Sequence, residues 1–128
     1  MDTKKFPLEA HGAAVSRAEL VQAALDEITQ NYREASLSNV ARAYGVSLAY
    51  VSECVRAQTG KTYKELLQRH RMETAARLLR RSDLNIQQII AQVGYENTSY
   101  FYRLFHERYG LSPREYRQVR AVRSRTTA

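Results

Sequence analysis

The chain has no tryptophan, one cysteine, two prolines and five glycines among its 128 residues. The single cysteine, Cys54, cannot close an internal disulfide. No run approaches the roughly 18 apolar residues that a membrane span requires. The opening Met1-Asp2-Thr3-Lys4-Lys5-Phe6-Pro7 lacks the apolar stretch of a signal peptide. Together these gaps lead to the expectation of a cytoplasmic protein with no membrane partner. No stretch alternates apolar and polar residues in the manner of a strand, and glycine and proline are sparse, so the chain reads as all-α. There is no phosphate-cradling glycine loop and no nucleophile–base constellation. His11, His70 and His106 stand far apart, without metal-ligand spacing to Cys54, and read as solvated. No enzyme, catalytic residue, metal or cofactor is therefore expected. Asn97-Thr98-Ser99 matches a glycosylation sequon, a chance match in a basic chain without a secretion signal.

What is present is a moderate apolar fraction, 44%, and a net charge of +7. A chain of this length can form one domain or two very small subdomains sharing a core. The charge is uneven. Residues 1–36 carry four basic against six acidic side chains, whereas residues 37–128 carry sixteen against seven, a balance of +9. Basicity gathered on most of a compact unit is the footprint of a nucleic-acid partner, or else a solvated face kept for solubility.

Four places have a capping residue followed three positions later by Glu or Gln, the signature of a helix start. They are Ser16 with Glu19, Thr62 with Glu65, Asn85 with Gln88, and Ser112 with Glu115. In the last, Pro113 occupies the first helical position, where its missing N–H is not needed. The first helix is expected from about Ala18 to Tyr32, with Leu20, Val21, Ala24, Leu25 and Ile28 on one face. A second, long one is expected over Tyr63 to about Arg81. Its broad apolar arc includes Tyr63, Leu67, Met72, Ala75, Leu78 and Leu79, opposite Arg69, Glu73, Arg77 and Arg80. An arc that broad fits a connector packed on two sides.

The chain also contains an internal repeat. "LSNVARAYGVSLAYVSECVRAQTGKTYKEL", from Leu37 to Leu66, aligns with "IQQIIAQVGYENTSYFYRLFHERYGLSPREY", from Ile86 to Tyr116. Gly45 meets Gly94, and after one extra residue Tyr50 meets Tyr100 and Gly60 meets Gly110. Each copy reads as a short helix, a glycine-containing turn and a second helix ending near glycine, which is the helix-turn-helix plan twice over. Helical periodicity places Phe101, Leu104, Phe105 and Arg108 on one face of the later second helix, with Ser99, Tyr102, Arg103 and His106 opposite. In the earlier copy Val51, Cys54, Val55 and Gln58 are expected inward, with Ala49, Ser52, Glu53 and Arg56 outward. Phe101 and Phe105 are thus core rings, Tyr95 and Tyr116 packing residues, and Tyr102 a phenol on the polar stripe, able to meet a base edge or a sugar.

The segment from about Val15 to Tyr116, roughly four fifths of the chain, resembles the DNA-binding domain of the arabinose-regulator (AraC/XylS) family of transcription factors. "TGKTYKELL", "RMETAARLL", "VGYENTSYFYRLFHERYG" and "LSPREYR" carry the likeness, and their order and spacing are highly specific. The resemblance implies seven helices, with two helix-turn-helix subdomains joined by the long helix. The expected organisation is a tail over 1–14, a first subdomain plus linker helix over 15–81, a second subdomain over 82–118, and a basic tail over 119–128. A connector of nearly twenty residues spans about 28 Å. One turn of B-DNA is about 34–36 Å. Both reading helices are therefore expected in successive major grooves of an asymmetric site.

The resemblance also implies roles by position. Base-reading positions fall on Ala49, Ser52 and Glu53 in the first reader, and on Thr98, Ser99, Tyr102 and Arg103 in the second. Arg103 can bond both acceptors of guanine or contact phosphate alone. Glu53 departs from a position where the family often has a basic residue; it can accept from cytosine N4 or simply reject phosphates. Ala49 offers only a methyl contact to thymine. Ser47, Arg56, Lys61, Arg69, Arg71 and Asn97 are expected at phosphates or in support of such contacts. Arg71 lies inside the apolar arc, so a buried structural pair is its alternative. Ile90 also departs from the family pattern, which often has alanine there, and should alter packing more than function.

The expected function is sequence-specific binding of double-stranded DNA to regulate transcription, with RNA polymerase a second candidate partner. The rival is a basic helical adaptor for an acidic protein. Polar stripes on both second helices favour DNA, because an adaptor groove exposes apolar residues. RNA ranks third, since the stacking platforms of common RNA modules are missing. The resemblance implies that most members carry a separate sensing or dimerisation domain, for which 128 residues leave no room, so a stand-alone regulator and the C-terminal domain of a longer one are both open expectations.

Overall fold

A computed structural model describes residues 15–119. Among them are seven helices and no strand: α1 (Arg17–Asn31), α2 (Leu37–Tyr44), α3 (Leu48–Thr59), α4 (Tyr63–Arg81), α5 (Ile86–Gln92), α6 (Thr98–Tyr109) and α7 over residues 113–119. The all-α expectation holds. The expected tails fall outside the described residues, except that Val119 ends α7. The chain divides into two compact units between Gln68 and Arg69, inside α4.

Local sequence explains where the helices begin. At α1 the Ser16 hydroxyl accepts from Glu19 N at 3.0 Å, and Ser16 N donates back to the Glu19 carboxylate at 3.1 Å. The same reciprocal pair forms between Thr62 and Glu65, Asn85 and Gln88, and Ser112 and Glu115. Each satisfies two N–H groups that the first helical turn leaves without partners. The backbone N–H of Thr62 and Ser112 holds the Glu65 and Glu115 carboxyls below their ordinary values. The stability these caps add is present at neutral pH and fades as pH falls through that lowered range.

The glycines mark the stops. Gly45 and Gly94, in the turn of each copy, have φ of +67° and +102°, a left-handed conformation that costs a side-chain-bearing residue roughly 1–2 kcal/mol.

In the first unit Leu20, Ala24 and Ile28 of α1 close over Val40 of α2 and Val51, Cys54 and Val55 of α3, all nearly or wholly buried. The start of α4 joins this core through Tyr63, with Leu66 and Leu67 partly buried beside it. Among the described residues of this unit, one charged side chain is buried. Glu27 is 2% exposed, and its Oε2 accepts from Asn39 Nδ2 at 3.0 Å, Asn31 Nδ2 at 3.3 Å and Ser36 N at 3.4 Å. Burying a carboxylate is costly unless hydrogen bonds offset it; here they fasten the end of α1 to the start of α2.

The second unit is built on rings. Phe105 lies 5.9 Å from Phe101, 4.6 Å from Tyr109 and 5.4 Å from Tyr116, centroid to centroid. Tyr95 reaches Phe101 at 5.8 Å. Ile89, Ile90, Val93 and Leu104 are buried in the same unit, as are Met72, Ala75 and Leu79 from its share of α4. Beyond the rings, Arg117 donates to the carbonyls of Leu79 at 3.0 Å and Ser82 at 3.2 Å, closing the C-terminal end of α4.

Three expectations need correction. Gln58 and Arg108 fall on the inward side by periodicity, yet both are exposed, because the last turns of α3 and α6 outrun the core. Arg108 instead meets Glu73 at 3.2 Å. His70 is half-buried rather than solvated. Burial lowers its pKa, opposed by Glu73 and assisted by Arg77.

Candidate nucleic-acid interface

The two second helices of the repeat, α3 and α6, follow the same burial sequence residue for residue from Val51 to Gly60 and from Phe101 to Gly110. In α3, Val51, Cys54 and Val55 are buried, while Ala49, Ser52, Glu53 and Arg56 are exposed. In α6, Phe101, Leu104 and Phe105 are buried, while Ser99, Tyr102, Arg103 and His106 are exposed. Each helix thus presents its own outward stripe to solvent. Thr98 is half-exposed at the start of α6, with its hydroxyl 3.5 Å from Gln87 Oε1.

Ser47 and Asn97 occupy the N-cap positions. The Ser47 hydroxyl accepts from Tyr50 N at 3.0 Å, and Asn97 Oδ1 accepts from Tyr100 N at 2.9 Å. Capping uses the oxygen of each side chain. It leaves the Ser47 hydroxyl proton and the Asn97 amide N–H groups to donate outward. Both helix starts therefore offer donors of the kind that bind phosphate.

Arg103 has two light restraints. Its guanidinium lies 5.1 Å from the Tyr100 ring, and its Nη1 is 3.7 Å from Glu107 Oε2. Both members of that ion pair are about 60% exposed, so water screens it and little free energy opposes its exchange for another acceptor. Tyr102, 39% exposed, leans on Phe101 with ring centroids 6.2 Å apart.

Arg56, Lys61 and Arg69 are exposed. Arg71 is half-buried, its guanidinium 5.1 Å from the Tyr95 ring. Burial pushes the Tyr95 hydroxyl pKa up, and the charge and hydrogen bond of Arg71 pull it partly back. Sequence reasoning passed over Leu48, which is exposed at the first position of α3. Its counterpart in the aligned repeat is Thr98, and that alignment was the available signal. Arg17 of α1 lies 5.7 Å from the Tyr50 ring, a contact between helices that nothing local in the sequence points to.

Two helix-turn-helix motifs in one chain, each with a polar outward stripe on its second helix, define a double helix-turn-helix DNA-binding domain. A family model described as "Helix-turn-helix domain" matches residues 40–119. The chain belongs to the AraC/XylS family of transcription regulators. It is 36% identical over 96 residues to the transcriptional activator NphR of Rhodococcus sp., covering 73% of this chain and 28% of that protein. It is 30% identical over 99 residues to the transcriptional activator PerA of Escherichia coli O127:H6, covering 75% and 34%. The chain thus spans about a third of the length of these relatives. Among solved structures, the C-terminal domain of AraT, a response regulator from Geobacillus stearothermophilus, superposes with a TM-score of 0.73 at 34% identity, covering 79% of this chain and 85% of that one. No helix among the described residues is long and apolar enough to cross a membrane.

Proposed function

We propose that this chain regulates transcription by reading a two-part site on double-stranded DNA, with α3 and α6 each entering a major groove. The observation that carries this reading is the matched burial of the two helices, which leaves corresponding outward stripes on both. Ala49, Ser52 and Glu53 are the base-reading side chains of α3, and Thr98, Ser99, Tyr102 and Arg103 those of α6. Ser47, Asn97, Arg56, Lys61 and Arg69 hold phosphates and set the register. Arg71 supports the second reader through Tyr95. Apolar docking by a protein partner is the poorer fit, because neither stripe is an apolar groove.

Arg103 tests the assignment. Arg103→Ala removes a side chain that is 62% exposed, so thermal stability should change by less than about 0.5 kcal/mol. Binding to a selected duplex should weaken by about 1–3 kcal/mol, with preference relaxed at one base pair, a guanine. Arg69→Ala should weaken binding to every sequence alike. Titrating both variants against single-base substitutions of the site separates the two roles. An equal loss on all sequences from Arg103→Ala would reduce Arg103 to a backbone contact.

A further inference from the structure

The outward faces of the two readers differ in chemistry. Position for position, Leu48, Ala49, Ser52 and Glu53 of α3 match Thr98, Ser99, Tyr102 and Arg103 of α6. All four side chains on α6 can hydrogen-bond. On α3, Leu48 and Ala49 have no polar side-chain atom. Leu48 is 49% exposed, the most exposed large apolar side chain among the described residues, and Ala49 beside it is exposed as well. Their backbone is firmly placed, since Ser47 caps the helix immediately before them. A lone exposed leucine is ordinary on a protein surface. This one forms an apolar step with Ala49 at the leading end of the helix that faces the groove. Next along that face stands Glu53, an acceptor that repels phosphates, and no cation precedes Arg56.

Among the base-edge features of the major groove, apolar contact addresses the C5-methyl of thymine, whereas the other edges are hydrogen-bond donors and acceptors. We infer that Leu48, with Ala49, reads thymine methyl groups, so that methyl contacts accompany the hydrogen bonds of Ser52 and Glu53 in the first part of the site, whereas the second is read through hydrogen bonds. This rests on the reading of α3 as a groove helix.

The probe is a duplex selected by the protein from a random pool, with each thymine replaced in turn by deoxyuridine. That exchange deletes one methyl and leaves every hydrogen-bonding group in place. At one or two positions binding should weaken about three- to five-fold, the scale of burying one such carbon. Leu48→Ala, altering an exposed side chain, should melt like the parent, bind the thymine duplex more weakly, and lose most of the deoxyuridine penalty at those positions. Such coupling marks a direct contact. Deoxyuridine tolerated everywhere, or an undiminished penalty in Leu48→Ala, overturns the inference while specific binding leaves the two-reader proposal standing. Failure to select any duplex overturns both.

Discussion

Phe105→Ala is expected to destabilise the second unit by about 3–5 kcal/mol, the usual cost of deleting a buried ring. Phe105 is 0% exposed. It contacts Phe101 on its own helix, Tyr109 one turn on, and Tyr116 of α7 at 84° to its plane. Removing it strips three rings of a common neighbour, and the unit has no disulfide to hold it closed. Tyr102→Ala, on the outward side of the same helix, should stay within about 0.5 kcal/mol of the parent. Denaturant unfolding followed by tyrosine fluorescence reads both. If Phe105→Ala unfolds with the parent while losing DNA affinity, the inward and outward faces of α6 have been exchanged.

DNA affinity is expected to fall steeply with salt, with a log–log slope of roughly −4 to −8. Between 50 and 200 mM salt that is a loss of roughly a few hundred-fold to several ten-thousand-fold. The cause is counterion release. Residues 37–128 carry a balance of +9, and Arg56, Lys61 and Arg69 are exposed cations proposed to replace counterions at phosphates. Anisotropy titrations at four salt concentrations give the slope. A flat response would contradict DNA as the partner.

How much of this was legible in the sequence depended on how local the cause was. The four capping pairs were readable because both partners lie within one helical turn, and all four form as written. The burial of Phe101 and Phe105 was readable because 3.6-residue periodicity over α6 is unbroken. Glu27 was not readable. A carboxylate in an amphipathic helix looks solvated, and two of its donors, Ser36 and Asn39, stand nine and twelve residues away. Gln58 and Arg108 obey the period but not the burial, since periodicity says which way a residue points and not where the core ends. Ser47 and Asn97 were named for phosphate; their capping role became visible only with the extended backbone at each helix start. Leu48 was missed because an apolar residue reads as core until its surroundings are known.

The most direct test of the two-reader account is selection from a pool of random duplexes, carried out in parallel with the parent chain and with Arg103→Ala. The account predicts that the parent enriches a site with two separate information-bearing segments. Arg103→Ala should keep one segment intact and lose preference at a guanine in the other, because Arg103 belongs to α6 alone. A pool that emerges without enrichment, or a preference that Arg103→Ala leaves unchanged in both segments, would contradict it.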